Sequence, residues 1–221
     1  QVPGFNGEII NQGYIIAATH GLVALVGGAV TNDGLIEAHM GQVILASGGA
    51  VTMSFAGNEL VNFAVTAPSS NAKVTNNGSL IADAGRVMVT AKAASGVLDN
   101  VIYMGGYVQA KSVGLVNGEL VLGSSGSGVV RIAGKLNASV KGAGEKGGNI
   151  TITGKYILLD STTELDVSGD VGAGHVLVGG NYQGKGPLMN ATRVTMMYGA
   201  KIYADGLTNG NGGEVVLWSD E

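Results

Sequence analysis

The fold class predicted by this chain is all-β: a right-handed parallel β-helix of about seven to nine coils, each built from three short strands with inserted loops. Three observations predict it. A two-part phrase recurs seven times along the 221 residues, its positions alternate between apolar and polar, and glycine punctuates each copy. A repeat of twenty residues or more implies one small unit per repeat, and stacking such units buries a continuous core.

The first part of the phrase reads Gly-x-(Ile/Leu/Val)-x-Ala. It occurs as Gly13-Tyr14-Ile15-Ile16-Ala17, Gly34-Leu35-Ile36-Glu37-Ala38, Gly78-Ser79-Leu80-Ile81-Ala82, Gly106-Tyr107-Val108-Gln109-Ala110 and Gly134-Lys135-Leu136-Asn137-Ala138. Looser copies are Thr163-Glu164-Leu165-Asp166-Val167 and Gly199-Ala200-Lys201-Ile202-Tyr203-Ala204. Strand alternation sends Ile15, Ile36, Leu80, Val108, Leu136, Leu165 and Ile202 inward, followed by the alanine column. Alanine fits there if the cross-section narrows near a corner. Glu37, Gln109, Asn137, Asp166 and Tyr203 point outward between them.

The second part, Gly-x-(Val/Ile/Leu)-x-(Val/Ile/Leu), starts at Gly21, Gly41, Gly85, Gly118, Gly148, Gly174 and Gly213. Its inward pairs run from Val23 and Leu25 to Val215 and Leu217. The position between them should face out, yet it holds Ala24, Ile44, Met88, Val121, Thr151, Leu177 and Val216, all apolar but the threonine. A continuous apolar stripe outside a soluble rod is rarely left bare. Either inserted loops cover it, or Ile44, Met88, Val121, Leu177 and Val216 form a lateral contact stripe for a neighbouring rod or domain.

A third short strand precedes most units, as in Ala29-Val30-Thr31, Lys73-Val74-Thr75, Val129-Val130-Arg131-Ile132 and Tyr156-Ile157-Leu158-Leu159. Asn11-Gln12-Gly13 and Asn32-Asp33-Gly34 lie 21 residues apart, which sets the coil length; Asn76-Asn77-Gly78 follows 44 further on. Residues 46–75 therefore hold an irregular coil or an inserted hairpin, with strands around Val51–Phe55 and Leu60–Val65 flanking Ala56-Gly57-Asn58-Glu59. Stacking at about 4.8 Å per coil gives a rod on the order of 35–40 Å long. Right-handedness follows from the preference of parallel crossovers. Glycine, 39 residues of 221, is expected at corners that need positive φ. The whole chain, 1–221, reads as one β-helix domain.

Hydrophobic residues make up 45% and charged residues only 13%, so the chain is not of a disordered type. The net charge of −4, without a basic cluster, argues against nucleic acid or an anionic membrane as partner. No apolar run is long enough for a transmembrane segment. Cysteine is absent, which favours an exported protein. The start at Gln1-Val2-Pro3 reads as a processed product or an excised segment. Neither the first ten residues nor the closing Gly213–Glu221 stretch shows a cap. Both ends are therefore expected to be open, either continued by a longer protein or stacked head to tail on further copies.

The phrases Val-Thr-Asn-(Asp/Asn)-Gly-x-(Ile/Leu) and x-Ala-x-x-Gly-x-Val resemble those of filamentous-haemagglutinin-like exoproteins. So do Gly179-Gly180-Asn181-Tyr182-Gln183-Gly184, Ala200–Asp205 and Gly210–Ser219. The resemblance covers most of the chain. It implies a right-handed β-helix, export by two-partner secretion, and a place on the bacterial cell surface or in the medium as adhesin or fibre. That family's amino-terminal secretion domain carries Asn-Pro-Asn, and no proline here (Pro3, Pro68, Pro187) follows asparagine. The resemblance is thus to the region downstream of that domain.

No catalytic, cofactor-binding or metal-ligating set is expected. β-helices also serve as polysaccharide-cleaving enzymes, which need two carboxyls about 5–9 Å apart in a groove with basic groups. The best candidates, Asp160, Glu164, Asp166 and Asp170, have no arginine near them in sequence and Lys155 as nearest lysine. They read as solvated outer-face carboxylates. Gly169-Asp170-Val171-Gly172-Ala173-Gly174 has a single aspartate where calcium-binding repeats need tandem ones. His20, His39 and His175 occupy different places in their repeats. The expected function is a non-catalytic structural or adhesive rod. A polysaccharide-acting enzyme, or a module binding a host or environmental surface glycan or protein through its loops, is the alternative.

Overall fold

The computed structural model describes residues 7–54, 62–97, 99–114 and 116–221. Three seven-stranded parallel sheets run along one axis. The first sheet contains Glu8–Asn11, Ala29–Asn32, Lys73–Asn76, Asn100–Met104, Val129–Ile132, Tyr156–Leu159 and Arg193–Met196. The second contains Tyr14–Ile16, Leu35–Glu37, Ser79–Ile81, Tyr107–Gln109, Lys135–Asn137, Glu164–Asp166 and Lys201–Tyr203. The third contains Leu22–Gly27, Gln42–Ser47, Arg86–Ala93, Glu119–Gly126, Asn149–Thr153, His175–Val178 and Glu214–Leu217. The chain visits the sheets in turn and pairs each strand with its counterpart one coil away. That is a parallel β-helix of seven coils, with about 29 Å between its first and last strands.

Register follows the repeat. Leu80 sits between Ile36 and Val108, and Val87 between Val43 and Leu120. Inward columns are sealed: Ile36, Leu80, Val108, Leu136 and Leu165 are buried, as are Ala38, Ala82, Ala110 and Ala138. The alanines stand beside the glycine column. A methyl on Gly148 would come 3.2 Å from the Ala138 Cβ, so the corner is tight there, although the sixth coil accommodates a buried Val167 in the same column. The last coil has a neighbour on one side only, and its inward Val215 and Leu217 are 43% and 39% exposed.

Positive φ is found, as expected, at glycines such as Gly126, Gly128, Gly179 and Gly199, but most glycines that open the repeat phrases serve another purpose. A Cβ on Gly78 would meet the Gly34 carbonyl oxygen at 2.1 Å, and one on Gly134 would meet that of Gly106 at 1.9 Å. Successive coils touch backbone to backbone at these corners, and only hydrogen fits. The left-handed conformation falls on the residue before the other glycine column: His20 (φ 65°), Met40 (52°) and Ala84 (54°). Each gives its N–H to the next coil, to His39 O, Asp83 O and Lys111 O at 2.7–2.9 Å, which offsets a conformational cost of about 1–2 kcal/mol per residue.

One inward column changes character along the rod. Asn11, Asn32 and Asn76 are stacked in register on the first sheet. Asn11 Nδ2 donates to Asn32 Oδ1, and Asn32 Nδ2 to Asn76 Oδ1, both at 2.7 Å. Each also donates to the carbonyl two residues on. From the fourth coil the column holds Met104, Ile132, Leu159 and Met196.

The described residues between 46 and 75 add no coil. Ala50–Ser54 and Asn62–Ala67 pair antiparallel, outside the three sheets. The turn expected at Ala56–Glu59 lies outside the described residues. The second of these strands lies on the outer side of the third sheet, where outward-facing Lys92 donates from Nζ to Thr66 O at 3.1 Å.

Candidate functional site

The outward column of the third sheet is not uniformly open. Ile44 is fully buried yet lies outside the main core cluster, so it is covered from outside. It stands next to the strand where the hairpin leaves the rod. Val216 is 7% exposed. Alternation puts Trp218 on the same face, and the 179–190 loop folds against that indole: a side chain on Gly180 would meet Trp218 Cδ1 at 3.2 Å. Trp218 Nε1 donates to Asp220 Oδ1 at 3.0 Å, and Asn190 Nδ2 donates to the same oxygen at 3.3 Å. Met88, Val121 and Leu177 remain half-buried. Of the expected contact stripe, Ile44 and Val216 thus have no surface left to offer, and the middle three do.

Only two of the four carboxylates, Glu164 and Asp166, share a face; Asp160 and Asp170 are engaged elsewhere. Asp160 is held by Arg131, whose Nε donates to Oδ2 at 2.9 Å, and its other oxygen accepts the Ser161 N–H at 2.8 Å. Those hydrogen bonds, Arg131's first, hold the Asp160 carboxyl below its ordinary range and raise the Arg131 guanidinium. Glu164 pairs with Lys135 at 3.3 Å. Asp166 Oδ1 accepts the Ser168 N–H at 2.9 Å. Asp170 Oδ2 takes the Gly144 N–H at 2.7 Å; the Thr208 hydroxyl, then this N–H, hold its carboxyl low too. The expectation that no basic group stands near this cluster is corrected here. Arg131 and Lys135 lie one coil back, 29 residues away in sequence and adjacent in space. A glycosidase acid needs a carboxyl kept protonated near neutral pH. Asp160 and Asp170 are shifted the opposite way.

Two of the histidines each face a single carboxylate, one of them across coils. His39 pairs with Glu37 on its own strand end, and His175 Nδ1 lies 3.3 Å from Glu214 Oε2. Among the described residues no group of three or more His, Cys, Asp or Glu could hold a metal ion. Among them, too, no helix is long and apolar enough to cross a membrane.

Sequence reasoning gave no prominence to the outer face of the second sheet between its fourth and seventh strands. There Tyr107, Lys135, Glu164 and Lys201 form one outward column, and Gln109, Asn137, Asp166 and Tyr203 the next. Asn137 Nδ2 donates to the Tyr107 hydroxyl at 2.9 Å, and Gln109 Nε2 to Asp83 Oδ2 at 2.8 Å. Two depressions of about 220 and 340 Å³ lie on this face and share Glu164 and Asp166 as lining. The signal was present in the notation x of the repeat: these are its variable outward positions, which no periodic argument singles out.

The chain is similar to the crystal structure of the HMW1 secretion domain from Haemophilus influenzae, with a TM-score of 0.73 and 27% sequence identity. The likeness covers 90% of this chain and 50% of that one, so the chain spans about half the length of the protein it matches. No family model and no curated protein matches the chain. The likeness agrees with the parallel β-helix of the structure and with a secreted exoprotein. The neighbour is itself a secretion domain, whereas the missing Asn-Pro-Asn motif pointed to the region downstream of one.

Proposed function

We propose that this chain is a β-helical segment of a bacterial exoprotein exported by two-partner secretion, acting outside the cell as a non-catalytic structural and adhesive rod. The similarity to the HMW1 secretion domain over 90% of the chain supports this reading most directly. The rod's partners are the remainder of a longer exoprotein, and at its sides another rod or a surface ligand. Met88, Val121 and Leu177 are the residues offered for lateral packing. The carboxylates favour a non-catalytic role, because each has a hydrogen-bond or ion-pair partner that holds adjacent coils or its own turn together, and the two that are shifted, Asp160 and Asp170, are shifted away from a protonated acid.

Localisation tests it. Antibody raised against the purified chain should label intact source cells or their medium. Labelling only after the cells are permeabilised would overturn the export reading. Negative-stain images of the chain should show rods, and incubation with acidic and neutral polysaccharides should leave their reducing ends unchanged. Cleavage that is lost in the Asp166→Asn, Asp170→Asn double variant would make the chain an enzyme.

A further inference from the structure

The outer face of the second sheet has the composition of a site rather than of a merely solvated surface. It differs along its length. Of the six outward positions in its first three strands, three are the apolar Ile16, Leu35 and Ile81 and the others Tyr14, Glu37 and Ser79. Its later strands bring Asn137 and Asp166 into register between two tyrosines, and the two shared depressions lie there. Tyr107 stands on the fourth coil and Tyr203 on the seventh, three coil spacings apart, or about 14 Å along the axis.

The groups along this path are mixed in sign and in hydrogen-bonding sense. Lys135 and Lys141 stand against Glu164, Asp166 and Asp205, so the face favours neither a polyanion nor a polycation. Carboxylates only accept and ammonium groups only donate, while the Tyr203 hydroxyl can do both; the Tyr107 and Ser139 hydroxyls are engaged within the chain, with Gln109 and Asn137. Lys141, Tyr203 and Asp205 are exposed at the second depression, so the Asp205 carboxylate, the Lys141 ammonium and the Tyr203 hydroxyl are open to a ligand there. The ligand that matches is neutral, extended and rich in hydroxyls that donate and accept, with apolar ring faces to lie on the tyrosines. We infer that the second sheet's outer face, from Tyr107 to Tyr203, binds a neutral oligosaccharide of about three sugar units lying along the rod. Asp166 and Asp205 accept from sugar hydroxyls, Lys141 donates to them, and Tyr107 and Tyr203 flank the two ends.

This deepens the adhesive part of the proposed function by naming a ligand class. Its test is independent of cell labelling, so failure of one does not imply failure of the other. Calorimetric titration of the whole chain would use maltotetraose, cellotetraose and chitotetraose, with a heparin tetrasaccharide and spermine as charged probes. At least one neutral probe should bind. Asp166→Asn and Tyr203→Ala should each weaken it about tenfold or more. Asp166→Asn keeps an oxygen for the Ser168 N–H, so its fold is preserved. Asp205→Asn, at an exposed carboxylate of the same depression, should act in the same direction even where Tyr203→Ala melts early. Tyr14→Ala, on the same sheet at the first coil, should leave affinity unchanged. The assignment is overturned if no neutral probe binds at millimolar concentration, if only the charged probes bind, or if affinity survives Asp166→Asn and Asp205→Asn.

Discussion

The first three coils and the last four solve one packing problem in opposite ways. At the inward corner position that ends each strand of the first sheet, the early coils place Asn11, Asn32 and Asn76, and the later ones Met104, Ile132, Leu159 and Met196. Asn32 and Asn76 are as fully buried as Ile132 and Leu159. In the early coils burial is tolerated because every amide is satisfied by the amide of an adjacent coil and by a carbonyl of its own turn. In the later coils there is no amide to satisfy, and dispersion and the hydrophobic effect suffice. The β-helix thus specifies shape and repeat distance at this corner, and leaves the chemistry to whichever side chain can propagate from coil to coil.

The comparison breaks most completely if a group that cannot propagate is introduced. Leu136→Asp, in a column that is apolar in both halves, should abolish cooperative folding, since an unpaired buried charge costs several kcal/mol. Circular dichroism would show loss of the β signal; a folded variant with a normal melt would refute the inward assignment of that column.

A smaller effect distinguishes the two halves. Asn32→Ala removes the middle of the ladder and strands the donor of Asn11 and the acceptor of Asn76. At about 1–3 kcal/mol for each buried unsatisfied group, the loss should be on the order of 2–5 kcal/mol. Replacing all three asparagines by leucine copies the later coils and should cost much less than that single change. Denaturant titration compares the two. If the triple variant is the less stable, the early corner is shaped for amides and the equivalence of the two solutions fails.

The alanine column sharpens the comparison from the other side, because alanine holds it in both halves, with Val167 of the sixth coil as the exception. Ala82→Leu and Ala110→Leu should each destabilise by overpacking, on the order of 1–3 kcal/mol, and by similar amounts. A neutral result at either would mean that the corner there is wider than the glycine contacts at Gly85 and Gly118 imply.

Much of this was legible in the sequence, for a physical reason. Period-two alternation depends only on the strand, so Leu80, Val108 and Val87 were assigned inward without knowledge of the coils. The Asn11, Asn32, Asn76 ladder obeys the same alternation but was read only as punctuation, because asparagine beside glycine usually marks a solvated turn. Cross-coil pairs such as Arg131 with Asp160 were hidden. Insertions of different length separate successive coils, 21 residues between Asn11 and Asn32 and 44 between Asn32 and Asn76, so no fixed offset names a neighbour. The burial of Ile44 and Val216 on the outer face runs against the alternation and carries no periodic signal. The outward groove from Tyr107 to Tyr203 needs that same register.

The smallest expected effect tests whether such cross-coil ion pairs matter. Asp160 and Arg131 join the fifth and sixth coils, and Tyr103 of the fourth lies under the guanidinium, 5.6 Å from Arg131 Cζ to the ring centre. The Asp160 carboxyl titrates below its unfolded value in the folded chain, so the folded state favours its ionised form. Its stabilisation is fully present above the ordinary carboxylate range. It is lost as pH falls through that range toward the lowered folded value. Because Arg131 is partly solvent-exposed, the contribution is screened and should be about 1 kcal/mol or less. Melting temperature should therefore fall on acidification, and Asp160→Asn should lower it at neutral pH while flattening that acid dependence. Tyr103→Ala should leave the acid dependence in place and lower stability slightly. An acid profile unchanged by Asp160→Asn would show that the pair contributes nothing measurable and that backbone pairing alone holds these coils.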